Sequence, residues 1–185
     1  VEAAVKGGVS MVQLREKESS TREFVERAIR LKEVLTPYGV PLIINDRVDV
    51  ALAADADGVH VGQSDMPYEM VKRLLPEGKI IGLSVESPEQ VLEANNYDLD
   101  YVAASPVFST TTKTNTIVEW GLDGLRWIRS VSRHPLVAIG GIHSNNVASI
   151  CKAGADSVAV ISAIVSADDP ERAARELLEK SGEPH

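Results

Sequence analysis

The sequence predicts an α/β chain of parallel strands, a (β/α)8 barrel, and three observations lead there. The first is the stretch Pro41 to Asp65, which reads strand, helix, strand. Leu42-Ile43-Ile44 is a continuous apolar run, Val48 to Ala54 makes about two helical turns, and Val59-His60-Val61 resumes extended chain after Asp57-Gly58. Apolar strands flanked by short helices mark a parallel sheet covered on its outer face. The second is an internal echo. Ala54 to Val61 and Ala153 to Val160 share one pattern of helix end, tight turn and buried strand. The third is the position of the glycine turn. An open doubly wound sheet carries a GxGxxG turn after its first strand, whereas Gly140-Gly141 sits near the C-terminus.

The elements follow in order. Val1 to Lys6 reads as the last turns of an amphipathic helix stopped by Gly7-Gly8. With no initiator Met before it, the expectation is that an earlier strand and most of its helix are missing from this chain. Val9 to Leu14 is a strand. Ser19-Ser20-Thr21 supplies N-caps, with Glu23 and Glu26 in the early turns where the helix dipole favours acids. Phe24, Val25, Ala28, Ile29, Leu31, Val34 and Leu35 keep helical spacing up to Pro37. After the Pro41–Asp65 stretch come a helix from Pro67 to Leu75, a strand from Lys79 to Leu83, a helix from Ser87 to about Asn95 and a strand from Asp100 to Ala104. Ser105 to Gly121 is a long connection, and connections of that length are usually functional or disordered. A helix from Leu122 to Ser132, a strand from Pro135 to Ile139, a helix capped by Ser144-Asn145-Asn146, a strand from Asp156 to Val160 and a helix from Asp168 to about Lys180 complete the chain. Seven strand–helix units and one restored strand make the eight that close a barrel, so residues 1–185 are read as a single, N-terminally truncated TIM-barrel domain.

Composition narrows the function. The chain has 185 residues, 44% of them hydrophobic and 25% charged, with a formal net charge of −8. That charge argues against a general nucleic-acid or anionic-membrane surface. No apolar run nears the roughly 20 residues that span a bilayer, and no signal peptide is visible. The single Cys151 fits a reducing cytoplasm. Oligomeric state is left open.

Residues just past the strands would meet at one barrel mouth: Arg15 and Lys17; Asn45 and Asp46; Gln63 and Asp65; Ser84; Thr110-Thr111-Thr112-Lys113; Gly140-Gly141; Ile161-Ser162. Neighbouring strands lie about 4.8 Å apart, so Asp46 and Asp65 could share one hard cation. Mg2+ suits one or two carboxylates completed by substrate phosphates and water. Taken singly, either Asp could merely cap the helix after it, and Arg15 and Lys17 could merely pair with Glu16 and Glu18. The paired position at two strand ends, with Asn45 beside it, favours the cation. Gly140-Gly141 and Ile161-Ser162 resemble the phosphate-binding loops of barrels. His60 reads as packed, Cys151 as buried, and Trp120 and Trp127 as core.

The motifs Gln13-Leu14-Arg15-Glu16-Lys17, Ile44-Asn45-Asp46-Arg47-Val48-Asp49, His60-Val61-Gly62-Gln63-Ser64-Asp65, Gly82-Leu83-Ser84, Pro106-Val107-Phe108, Thr110-Thr111-Thr112-Lys113, Trp120-Gly121-Leu122, Ala138-Ile139-Gly140-Gly141-Ile142 and Val160-Ile161-Ser162-Ala163-Ile164 together resemble the thiamine phosphate synthase family. The resemblance runs in order through nearly the whole chain. It implies a Mg2+-dependent transferase of thiamine biosynthesis. Such enzymes join a hydroxymethylpyrimidine diphosphate to a thiazole phosphate, or its carboxylated form, and release diphosphate. It implies Asp46 and Asp65 as metal ligands. Gln13, Arg15, Lys17, Asn45, Ser84 and Lys113 would hold the pyrimidine diphosphate, with Arg15, Lys17, Lys113 and Ser84 the catalytic contacts. Thr110, Thr111, Thr112, Gly141, Ile161 and Ser162 would hold the thiazole phosphate. Thr111 stands where the family usually has the first Lys of a Thr-Lys-Thr-Lys run. The rivals are a thiazole tautomerase of the same fold, which would need an acid–base residue at the mouth, and a protein that senses thiamine precursors without turnover.

Overall fold

The computed structural model describes residues 1–109 and 119–182. Within them seven parallel strands alternate with helices in a TIM-like (β/α) pattern, and strand order in the sheet follows chain order. The chain divides into two compact units, one of residues 9–83 with Glu2, the other of Val1, residues 3–8 and residues from 84 onward.

The first unit carries β1 (Val12–Leu14), α2 (Thr21–Leu35), β2 (Leu42–Asn45), α3 (Val48–Ala53), β3 (Gly58–Val61), α4 (Tyr68–Leu74) and the start of β4 (Ile80–Val85). Ser20 closes a full capping box on α2. Its hydroxyl accepts from the Glu23 N–H at 3.3 Å, and the Glu23 carboxylate accepts from the Ser20 N–H at 3.0 Å. Phe24, Ala28 and Leu35 form the buried stripe of that helix. A short 3-10 turn, Thr36–Tyr38, ends at Gly39 in the left-handed conformation. Leu42, Ile43 and Ile44 are fully buried; each such side chain contributes about 1.5–3 kcal/mol of hydrophobic stabilisation. The β3 strand is buried along its whole length, His60 included, as a strand of a parallel sheet covered on both faces is. In register, Asn45 faces His60 and Val61 faces Leu83.

The second unit carries α1 (Glu2–Lys6), the end of β4, α5 (Pro88–Ala94), β5 (Tyr101–Ala104), α6 (Gly121–Val131), β6 (Leu136–Ile139), α7 (Val147–Lys152), β7 (Ser157–Ala159), α8 (Ser162–Val165) and α9 (Pro170–Ser181). Gly7 lets α1 lie close to α9, for a Cβ there would stand 2.3 Å from the Glu171 carbonyl oxygen. Ser87 and Asp169 cap α5 and α9, each followed by Pro in the first turn. The expected cap of α7 differs. Asn146 holds the N-cap position but makes no capping bond, because its side chain braces the turn before it.

The echo between Ala54–Val61 and Ala153–Val160 is structural. In the first unit Asp57 Oδ2 accepts from the Leu42 N–H at 2.8 Å, and its own N–H donates to the Leu42 carbonyl at 2.9 Å. In the second, Asp156 makes the same two bonds to Leu136, at 2.7 and 2.8 Å. Each aspartate therefore fastens the start of the preceding strand. A cation from the helix before that strand faces each, Lys32 at 3.8 Å from Asp57 and Arg129 at 2.8 Å from Asp156.

Candidate functional site

In the first unit the strand ends carry an acidic pair and one engaged lysine. Asp46 follows β2 directly. Its φ of 64° turns the chain out of the strand, and its N–H donates to the His60 carbonyl at 2.8 Å. Asp65 closes a tight turn in which its Oδ2 accepts from the Gly62 N–H at 2.7 Å. The helix caps are other residues, Arg47 for α3 and Pro67 for α4, so neither aspartate is spent on capping. Burial pushes the Asp65 carboxyl above its ordinary range. The Asp46 carboxyl hydrogen-bonded to it adds to that push, while the Gly62 N–H and the Lys17 ammonium oppose it.

Lys17 donates to Asp46 Oδ2 at 2.6 Å. Its neighbour Glu16 is taken by Ser19 at 2.8 Å and Arg27 at 2.6 Å. The ammonium therefore reaches across to the acidic pair. Gln13 and Arg15 are exposed on and just past β1, and Asn45 is half-buried at the end of β2. Arg47, which the sequence reading passed over, holds Asp49 at 2.5 Å and the Thr21 hydroxyl at 3.0 Å, fixing the start of α3 beside Asp46.

In the second unit Ser84 is buried inside β4, one residue before that strand ends. Gly140 and Gly141 form the turn after β6, with φ of 99° and 66°. What fills the space beside them is chain: a Cβ on Gly140 would stand 2.8 Å from Pro106 Cβ, and one on Gly141 2.8 Å from Phe108 Cβ and 2.9 Å from the Ser109 carbonyl oxygen. Pro106–Phe108 is itself anchored, Val107 N–H to the Ile139 carbonyl at 2.8 Å and Phe108 N–H to the Gly140 carbonyl at 3.2 Å. Asn146 donates to the Gly141 carbonyl at 2.9 Å and accepts from the His143 N–H at 2.9 Å. Nothing in the residue pattern around Asn146 separates that brace from an ordinary helix cap. Ile161 and Ser162 are exposed at the start of α8. Thr110, Thr111, Thr112 and Lys113 lie outside the described residues.

The remaining candidates stay in the fold. His60 and His134 are buried, and both ring nitrogens of His134 lie against carbonyl oxygens of Leu99 and Ala94 at 3.1 and 2.9 Å. Trp120 and Trp127, expected in the core, are each only half-buried; they stack with centroids 6.2 Å apart, and the Trp120 indole N–H donates to the Val85 carbonyl at 3.1 Å. Cys151 is half-buried, less enclosed than expected. A cleft of about 580 Å³ lies at the opposite, N-terminal ends of β2, β3 and β4, lined among others by Lys32, Asp57, Glu77 and Lys79. Its lysines are already neutralised by Asp55 and Asp57, so it does not read as an anion site.

The donor set suits Mg2+. Two hard carboxylates are crowded enough to raise one of them, and a cation between them relieves the crowding. Among the described residues no group of three or more His, Cys, Asp or Glu could cage a metal. Two protein ligands with substrate oxygens and water making up the rest is the usual Mg2+ arrangement. No helix among the described residues is long and apolar enough to cross a membrane.

Residues 1–164 match the family model described as thiamine monophosphate synthase. The chain is 54% identical over 177 residues to the thiamine-phosphate synthase of Albidiferax ferrireducens, covering 96% of this chain and 81% of that one. It is 51% identical over 178 residues to the enzyme of the same name from Vibrio parahaemolyticus, covering 96% and 87%. Among solved structures it resembles the thiamine phosphate pyrophosphorylase of Pyrococcus furiosus, with TM-score 0.89, 42% identity and coverage of 97% and 86%. A 3-hexulose-6-phosphate synthase from Salmonella typhimurium matches at TM-score 0.77 and 22% identity, a likeness of fold alone.

Proposed function

The chain belongs to the thiamine monophosphate synthase family, and we propose that it performs the family's transfer with Mg2+ held by Asp46 and Asp65. It is a transferase that forms thiamine phosphate in thiamine biosynthesis. The finer reading is that a hydroxymethylpyrimidine diphosphate and a thiazole phosphate condense with loss of diphosphate. The observation that carries the metal assignment is the Asp46–Asp65 pair, two carboxyls past the ends of neighbouring strands and close enough that Asp46 helps raise Asp65, with Lys17 2.6 Å from Asp46. The chain is read as a single domain carrying seven units of a (β/α)8 barrel, supported by strands in chain order and the match to the Pyrococcus furiosus fold.

The step needs charge stabilisation more than proton transfer. The carbon–oxygen bond to the diphosphate breaks, its electron pair leaves with the diphosphate, and the aminopyrimidine ring shares the positive charge left on its methylene. The thiazole nitrogen lone pair then forms the new carbon–nitrogen bond. Arg15 and Lys17 donate charge-assisted hydrogen bonds to the diphosphate, and those bonds strengthen as negative charge grows on it. Gln13, Asn45 and Ser84 orient the pyrimidine diphosphate, and Lys113 is assigned to the same ligand. Gly141, Ile161, Ser162 and Thr110 to Thr112 are assigned to the thiazole phosphate. A bound Mg2+ would supply further charge neutralisation on the leaving diphosphate.

The test is a coupled assay with both substrates, comparing the parent chain with Asp65→Asn. One thiamine phosphate per diphosphate released is expected from the parent, with turnover falling about a hundred- to a thousandfold in the variant. Undiminished turnover of Asp65→Asn across Mg2+ concentrations would remove the metal assignment.

A further inference from the structure

We propose that Lys17 and the divalent cation compete for the same carboxylate, so that metal binding at Asp46 and release of Lys17 toward the diphosphate are a single exchange. The proposal rests on the reading that Asp46 and Asp65 hold the cation. Lys17 Nζ lies 2.6 Å from Asp46 Oδ2, within charge-assisted hydrogen-bond distance. A Mg2+ ligand oxygen sits about 2.0–2.1 Å from the ion. An ammonium and a divalent ion on one carboxylate oxygen would therefore be close neighbours of like charge.

The two sides of this contact differ in freedom. The acidic side is fixed. Asp46 is held by its N–H bond to the His60 carbonyl, and its side chain is 19% exposed. Asp65 Oδ2 is held by the Gly62 N–H. The Lys17 side chain is 53% exposed and follows the last residue of β1 by three positions. Its four-carbon stem lets the ammonium move while the acids stay. Of the two carboxylates that flank it in sequence, Glu16 is already held by Ser19 and Arg27, and Glu18 is exposed, where an ion pair is worth little. The ammonium displaced from Asp46 therefore finds its counter-charge in an incoming diphosphate. Metal and diphosphate binding become coupled, because each lowers the cost of the other, and such coupling is reciprocal.

The experiment titrates the whole chain with Mn2+ alone, an oxygen-preferring stand-in for Mg2+, followed by the electron paramagnetic resonance of free Mn2+. Parent, Lys17→Met, Lys17→Gln, Lys17→Arg and Asp46→Asn proteins are compared, with circular dichroism as the check of fold. A second titration adds inorganic diphosphate at saturating Mn2+. Lys17→Met and Lys17→Gln should bind Mn2+ about three- to tenfold more tightly than the parent, the scale of a partly exposed ion pair removed together with its repulsion. The same two variants should bind diphosphate more weakly, while Lys17→Arg should keep the parent's Mn2+ affinity. Opposite signs for metal and diphosphate are the signature, since a merely structural lysine would weaken both. Unchanged or weaker Mn2+ binding in Lys17→Met and Lys17→Gln would overturn the exchange and leave the metal site standing. A parent that binds no Mn2+, or an Asp46→Asn variant that binds it equally well, would overturn the metal reading itself and the exchange with it.

Discussion

Asp46 combines two demands on one residue. Its backbone is left-handed, a conformation that Asn shares readily and Ala does not. Asp46→Asn and Asp46→Ala should therefore lose metal binding alike but differ in stability. Urea denaturation should place the Ala variant lower by about 1 kcal/mol; equal midpoints would mean that the backbone relaxes. Asp65 presents the opposite case. Its ionised carboxyl is disfavoured by burial and by Asp46, so Asp65→Asn should sacrifice turnover and gain metal-free stability. A rise in Tm on the order of 1–2 °C is expected, small because the Asp65 carboxyl is only partly buried. Saturating Mg2+ should reverse the order by stabilising the parent alone. A variant less stable than the metal-free parent would show that the hydrogen bond from Gly62 outweighs the crowding. The carboxylates were legible in the sequence because an Asp at the end of an apolar strand is conspicuous. The partner of Lys17 was not, because residues 17 and 46 meet only through tertiary structure.

At the scale of elements, the doubled Asp57 and Asp156 bonds show how much of a repeat is hidden in its side chains. The sequence displays the shared turn, and Asp55 in the first copy occupies the positive-φ position that Gly154 occupies in the second. It does not display that each following aspartate bonds back to the strand before it. Asp57→Ala and Asp156→Ala leave the Leu42 or Leu136 N–H without its side-chain acceptor, at a cost of about 1–3 kcal/mol each. Chemical denaturation checks this, and a change below about 0.5 kcal/mol would mean that water replaces the carboxylate. The turn at Gly140-Gly141 carries the same lesson. Its glycines were read as small residues that would let a phosphate approach. The structure adds that Phe108 and Ser109 already stand where a Cβ would go. Asn146 reads as a helix cap in sequence and serves the turn in space, since a cap and a brace use the same residue type at the same spacing.

For the whole molecule, alternation of apolar runs with amphipathic helices made the fold class legible, because strands buried on both faces show as short apolar runs bounded by turns while the helices between them keep helical spacing. Surface electrostatics were not legible, because they join residues far apart in sequence. Asp55 is the clearest example. It accepts from Lys79 at 2.6 Å and from Lys32 at 3.2 Å. The hydrogen bond from Lys79, and then that from Lys32, hold its carboxyl below the ordinary range. Glu16, Glu23, Asp49, Glu89 and Glu176 are lowered in the same direction by their own hydrogen bonds. A carboxyl lowered on folding stabilises the protein above its unfolded pKa, about 4, and that stabilisation is lost as pH falls through the folded value. These groups therefore place the acid limb below about pH 4 and leave stability level from there to neutrality. Asp55→Asn keeps a residue that accepts the left-handed backbone and removes one titrating group. Its urea midpoint should fall less between pH 6 and pH 3 than the parent's, and 0.5 M NaCl should narrow the difference, since the pairs are exposed and screened. An identical acid slope in parent and variant would mean that Lys32 and Lys79 hold Asp55 without contributing to the linkage between protonation and folding.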